Sequence, residues 1–139
     1  MNERVKIFIV EYDCVNLITL MLWLDQFPDF DVLGTTVDTG SIKAQIEDLK
    51  PDVVLLDIGT PGPEDIPQLR EIKSVAETPA VVLLYKGGAD ELRGPLMNES
   101  EGFLGLESSL GDLRDAILSA LKRRPAILPK SFHAIAKAG

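Results

Sequence analysis

Asp57 is the side chain best placed to do chemistry, because it closes an apolar, β-branched run within Asp52–Leu56 that shows no alternation. Such a run reads as a strand buried on both faces, the pattern of a central parallel strand. Gly59, Pro61, Gly62 and Pro63 then force a tight, non-helical loop. In an open α/β sheet, ligands meet the carboxyl ends of the strands, so this carboxylate is expected to sit on a rigid element at the reactive edge. A second apolar run, Val5 to Val10, also ends in acid, at Glu11, Tyr12 and Asp13. Cys14 and His133, the single cysteine and histidine, lie far apart in the chain. A zinc site, a Cys-His nucleophile and an internal disulfide are therefore not expected, and Cys14 reads as a small residue near a helix start.

The elements that must carry these acids alternate along the chain. After the first strand a helix is expected from about Cys14 to Phe27, capped by Asp13 and stopped by Pro28-Asp29. A short strand at Phe30 to Gly34 and a helix from Gly40 to about Leu49 precede the central strand. Beyond the loop, Asp65 can cap a third helix with Pro67 in its first turn. Ala80 to Leu84 reads as the fourth strand, and a helix around Ala89 to Met97 should be short or kinked at Gly94-Pro95. That region, between Gly87-Gly88 and Glu101, is expected to be the least ordered part, since Asn98 to Glu101 offers nothing apolar to dock. Gly102 to Leu106 is the fifth strand, and Ser109 with Asp112 has the form of a capping box for a last helix with Leu113, Ile117 and Leu121 on one face. Five βα units imply a parallel sheet covered on both faces.

Composition bounds the rest. With 139 residues, 45% of them apolar and 26% charged, the chain has material for one domain and a single core. No apolar run approaches the roughly 20 residues of a membrane span, and the charged start MNERVK lacks an apolar signal region. A cytoplasmic protein without a membrane partner is expected. A formal net charge of -8 argues against direct nucleic-acid binding by this segment.

The acid after the first strand, the Asp-x-x-x-Pro-Gly loop after the third and Gly102-Phe103-Leu104 at the fifth resemble the receiver domain of two-component response regulators. The match runs almost without gaps from Lys6 to Lys122, and FPDFDVLG, KPDVVLLD and TPG look most like the subclass with a LuxR-like helix-turn-helix output. The resemblance implies a flavodoxin-like (CheY-like) three-layer α/β fold with strand order 2-1-3-4-5. It implies a receiver domain over 1–123 with a linker or tail over 124–139, Asp57 as the phosphoacceptor, a sensor histidine kinase as partner, and no enzyme activity of its own. DIGT is also similar to the nucleophile loop of haloacid-dehalogenase-type phosphatases, but that motif needs a second aspartate where Gly59 stands.

The remaining receiver positions depart from the pattern. The two acids after the first strand fall on Glu11 and Tyr12, the threonine or serine that closes on the phosphoryl group on Leu84, the lysine on Leu106, and the following proline on Glu107. Mg²⁺ prefers near-octahedral oxygen ligands, and a neutral phenol substitutes poorly for a carboxylate. Glu11, Asp57 and the Gly59 carbonyl are left as a weak Mg²⁺ site. Neither leucine can donate to phosphoryl oxygens, so the alternative is a phosphorylation-independent pseudo-receiver that works as an interaction module. Phe103 matches the aromatic switch position.

The first helix carries two apolar stripes: Leu20, Trp23, Leu24 and Phe27 on one side, and Leu17, Ile18, Met21 and Leu22 roughly opposite. The receiver resemblance puts the Trp23 set on the sheet. The second stripe, joined by Leu118 on the last helix, is expected to form a bare apolar patch and hence a homodimer interface through the first and last helices.

Overall fold

The computed structural model describes residues 4–36, 39–87 and 90–125. In chain order the elements are β1 (Val5–Val10), α1 (Cys14–Asp25), β2 (Phe30–Thr36), a 3₁₀ turn (Thr39–Ser41), α2 (Ile42–Leu49), β3 (Val53–Gly59), α3 (Asp65–Lys73), β4 (Ala80–Tyr85), α4 (Asp90–Glu99), β5 (Gly102–Gly105) and α5 (Leu110–Lys122).

 The five parallel strands lie in the order β2-β1-β3-β4-β5, the flavodoxin-like arrangement that the receiver resemblance implies.

Strand alternation sends successive side chains to opposite faces, and here both faces are apolar. Ile7, Ile9, Val53, Leu55, Val82 and Leu84 pack under α1 and α5, while Phe8, Val10, Val54, Leu56, Val81 and Leu83 pack under α2, α3 and α4. This double burial is why β1, β3 and β4 read as continuous apolar runs. Asp13 caps α1 by accepting from the backbone N–H groups of Val15 (2.9 Å) and Asn16 (3.1 Å). Ser109 and Asp112 form the reciprocal capping box of α5, as the spacing predicts.

Several boundaries differ from the sequence expectation. β3 does not stop at Leu56: Asp57 pairs with Leu84 and Gly59 with Tyr85, with a register shift between them. Gly59 adopts φ of 62° there, a left-handed conformation that glycine reaches without a steric cost. β2 runs on to Thr36, and α2 starts at Ile42 after the 3₁₀ turn. The cap position of α3 is Glu64 rather than Asp65; Asp65 is the first helical residue, and its carboxylate accepts from the Gly62 N–H at 2.7 Å. β5 ends at Gly105, one residue before Leu106.

Helix α4 continues through Gly94-Pro95 to Glu99. Leu96 is fully buried beneath it. The stretch Asn98 to Glu101, which has nothing apolar to dock, is held by polar bonds instead. Glu99 pairs with Arg70, and Glu101 pairs with Lys73 and accepts from the Val81 N–H. At the same amino end of the sheet, Arg124 donates to the Asp52 carboxylate and the Thr78 carbonyl, both at 2.9 Å. His133, Gly88, Ala89 and the segment 126–139 lie outside the described residues.

The α1 stripes are sorted by the fold. Leu20 and Leu24 are buried, and Trp23 and Phe27 are half-buried against the same core. Of the opposite set, Ile18 (58% exposed), Met21 and Leu22 (63% exposed) face outward, joined by Val15. Leu17 and Leu118 do not: both are half-buried and pack against the core under α1 and α5, so they drop out of the exposed patch. A helix covers about 100° per residue, and Leu17 lies close enough to the Leu20–Leu24 line to turn inward.

Candidate functional site

Three loops converge at the carboxyl edge of the sheet because β1, β3 and β4 are neighbours there. Asp57 is 5% exposed, and its Oδ1 accepts from the Gly59 N–H at 2.8 Å. Glu11 is completely buried, and its Oε1 accepts from the Asp13 N–H at 3.0 Å. Burial raises the Glu11 pKa to about 8, helped by a hydrogen bond to Asp57 and by the charges of Asp57 and Asp13. At neutral pH Glu11 therefore holds a proton and donates it toward Asp57. Glu11 Oε2 is buried without a hydrogen-bond partner, a setting that disfavours a bare anionic charge. Like-charged neighbours in a desolvated site disfavour one another's charge, and here it is Glu11 whose pKa is raised.

Tyr12 lies over this pair. It is 58% exposed, yet its hydroxyl comes within 2.7 Å of the position a Cβ on Gly59 would occupy. Desolvation first, then the surrounding charges of Asp57, Glu11, Asp13 and Asp65, push its pKa up, so it remains a neutral phenol. Asp13 is turned away to cap α1. Its carboxylate is thereby spent on backbone donors rather than on the Asp57 pocket.

Receiver folds imply Mg²⁺, and the donor set here does not fit it. Mg²⁺ asks for anionic oxygens in near-octahedral geometry, whereas Glu11 keeps its proton and Tyr12 is neutral. The Gly59 carbonyl, expected as the third ligand, accepts from the Lys86 N–H at 2.9 Å as part of the sheet. Among the described residues no three His, Cys, Asp or Glu side chains converge as a metal site. The weak set of Glu11, Asp57 and Gly59 expected from the sequence thus comes with a raised Glu11 pKa and a Gly59 carbonyl that already accepts one hydrogen bond.

The other receiver positions are placed as follows. Leu84, opposite Asp57, is buried in the core. Leu106 is half-buried against the same core, and Leu20, Trp23, Leu84, Leu106 and Leu113 surround a gap of about 20 Å³. Both leucines extend the core to the strand ends and present no donor. Glu107 is exposed, with its carboxylate folded beside Gly105. Phe103 is half-buried and stacks on Tyr85, with ring centroids 4.2 Å apart. The Tyr85 hydroxyl accepts from Arg93 at 2.6 Å, and the guanidinium sits 4.9 Å from the ring centre. Sequence reasoning missed this Arg93–Tyr85–Phe103 stack, since neither spacing nor type links residues from three elements.

A β2-β1-β3-β4-β5 parallel sheet with an aspartate at the carboxyl end of its middle strand is the receiver-domain fold of response regulators. The signal receiver domain of the response regulator NarL from Mycobacterium tuberculosis superposes with a TM-score of 0.76 at 21% identity, covering 86% of this chain and 98% of that one. The receiver domain of RcsB from Salmonella enterica, solved with the phosphomimetic BeF₃⁻, gives 0.74 at 20% identity, covering 93% and 96%. The response regulator domain of Thermotoga maritima CheB gives 0.70 at 23% identity, covering 88% and 100%.

Among curated sequences, a protein-glutamate methylesterase/protein-glutamine glutaminase of Koribacter versatilis is 38% identical over 68 residues, 49% of this chain and 18% of the relative. One from Pseudomonas savastanoi pv. phaseolicola is 27% identical over 128 residues, 87% of this chain and 36% of the relative. The matches thus cover between 18% and 36% of the length of these relatives. No family model matches the chain. Among the described residues no helix is long and apolar enough to cross a membrane.

Proposed function

We propose that this chain is the signal-receiving module of a cytoplasmic response regulator, with Asp57 as its phosphoacceptor and a sensor histidine kinase as donor. The observation that supports it is the placement of Asp57: a desolvated carboxylate at the carboxyl end of β3, fixed by the Gly59 N–H. An Asp57 oxygen would form the bond to phosphorus as the donor's bond to phosphorus breaks. The group goes to no further substrate, so the chain is not an enzyme in its own right. Leu84 and Leu106 give a phosphoryl group no contact that differs between two conformations, and a ligand shifts an equilibrium only through such differences. Phosphorylation should therefore move the Phe103 switch position little.

A transcriptional output fits the solved LuxR-family regulators of this fold, such as that from Aurantimonas, which the chain matches with a TM-score of 0.75 at 20% identity. The methylesterase relatives support an enzymatic output domain instead. Adding beryllofluoride in Mg²⁺ buffer and recording amide chemical shifts tests the acceptor role. Changes around Asp57 that vanish in Asp57→Asn support it, and none in the wild type sinks it.

A second reading, the phosphorylation-independent interaction module, is favoured by the raised pKa of the buried Glu11 beside Asp57. Under either reading the contact surface is α1, where Val15, Ile18, Met21 and Leu22 stand exposed. Such a patch on an acidic domain suits a homodimer. Light scattering on Ile18→Glu, Leu22→Glu should show half the wild-type mass, and a monomeric wild type removes the dimer.

A further inference from the structure

We infer that Lys86 is the residue that faces an anion held at Asp57, an assignment that rests on the acceptor role proposed above. A phosphoryl group adds roughly two negative charges at neutral pH, next to a carboxyl pair and the acids of the adjoining loops. Such charge needs a cation or aligned donors in a desolvated site. The donor set does not suit a divalent ion, and Leu106 is neutral. In the described loops that leave β1, β3, β4 and β5, Lys86 is the only lysine or arginine.

Its backbone is fixed beside the acceptor. The Lys86 N–H donates to the Gly59 carbonyl at 2.9 Å, and the preceding Tyr85 carbonyl accepts from the Leu106 N–H at 2.8 Å. These two bonds carry the β4 ladder one residue past its end, so strand alternation puts Lys86 on the same side of the sheet as Leu84, the residue paired with Asp57. The Lys86 side chain is exposed and makes no ion pair among the described residues. A flexible four-carbon stem ending in a point charge can then swing to an incoming anion. Arg93, the next cation along the chain, is engaged with Tyr85.

Beryllofluoride titrations followed by fluorine NMR on the full chain, in Mg²⁺ buffer, test this assignment in wild type, Lys86→Ala, Lys86→Arg and Lys122→Ala. Affinity should fall roughly tenfold or more in Lys86→Ala, as for loss of a hydrogen bond to a charged group. Lys86→Arg should retain most of it, and Lys122→Ala, at the far end of α5, should match wild type. Equal affinity in wild type and Lys86→Ala overturns the assignment. So does an equal loss in Lys122→Ala, which would mark a general charge effect, or in Lys86→Arg, which would mark a structural one. A wild type that binds no beryllofluoride overturns the acceptor role itself, and the assignment with it.

Discussion

The two ends of the sheet treat their acids in opposite ways. At the amino end and along the adjoining helix ends, three acids meet cations: Asp52 with Arg124, Asp29 with Arg114, Glu101 with Lys73. At the carboxyl end Glu11 and Asp57 meet each other, and a proton takes the place of the cation. The hydrogen bond from Arg114 holds the Asp29 carboxyl below its usual range, whereas burial drives Glu11 far above it. The lesson is that a carboxylate's charge state follows from what packs against it, so the same residue type is a structural anion at one edge and a neutral acid at the other.

The largest expected effect is on the pH dependence of stability. Glu11 ionises near 4.5 in the unfolded chain and at about 8 when folded, so between those values the folded state holds a proton that the unfolded state has lost. Its contribution to stability is complete below pH 4.5, declines through the window with a slope approaching about 1.4 kcal/mol per pH unit, and stays low above pH 8. Glu11→Gln, which keeps a donor toward Asp57, should flatten that slope in urea titrations run from pH 5 to pH 8. An unchanged slope would show that the pair does not share a proton.

Next in size is the amino-end clamp. Arg124→Ala removes a largely buried partner of Asp52 and a donor to the Thr78 carbonyl, and should cost about 2 kcal/mol. Denaturant unfolding measures it directly, and a loss near zero would mean that solvent replaces the arginine without penalty. The smallest effect concerns Arg114, whose guanidinium forks onto Asp29 and covers the rings of Phe27 and Phe30. In Arg114→Gln the Asp29 pKa should rise toward its ordinary value, as read by carboxyl carbon NMR. A depressed pKa contributes stability at neutral pH that is lost as acid reaches the folded value. Acid thus weakens this end of the sheet while it favours the other.

Much of the scaffold was legible in the sequence because it rests on local rules. The apolar runs of β1, β3 and β4, the Asp13 cap and the Ser109–Asp112 box each follow from residues within a few positions of one another. Asp57 was legible for the same reason, since a strand end followed by a glycine-proline loop places it. The charge state of Glu11 was not, because it depends on the depth of β1 beneath Tyr12 and on the approach of β3. That the Gly59 carbonyl also serves the β4 ladder, accepting from the Lys86 N–H, was likewise not legible, since it depends on a neighbouring strand. Leu17 and Leu118 were misplaced because a helical projection assigns faces but not how far a neighbouring helix wraps around them.

Trp23 is the only tryptophan in the chain, and it lines the same small gap as Leu84 and Leu106. The indole is therefore a native optical probe of the inner wall behind Asp57, sensitive to water entering that corner or to a leucine changing its rotamer. Its emission colour and quenching by iodide could follow the pocket in real time, in unlabelled protein, without any substitution at the site itself.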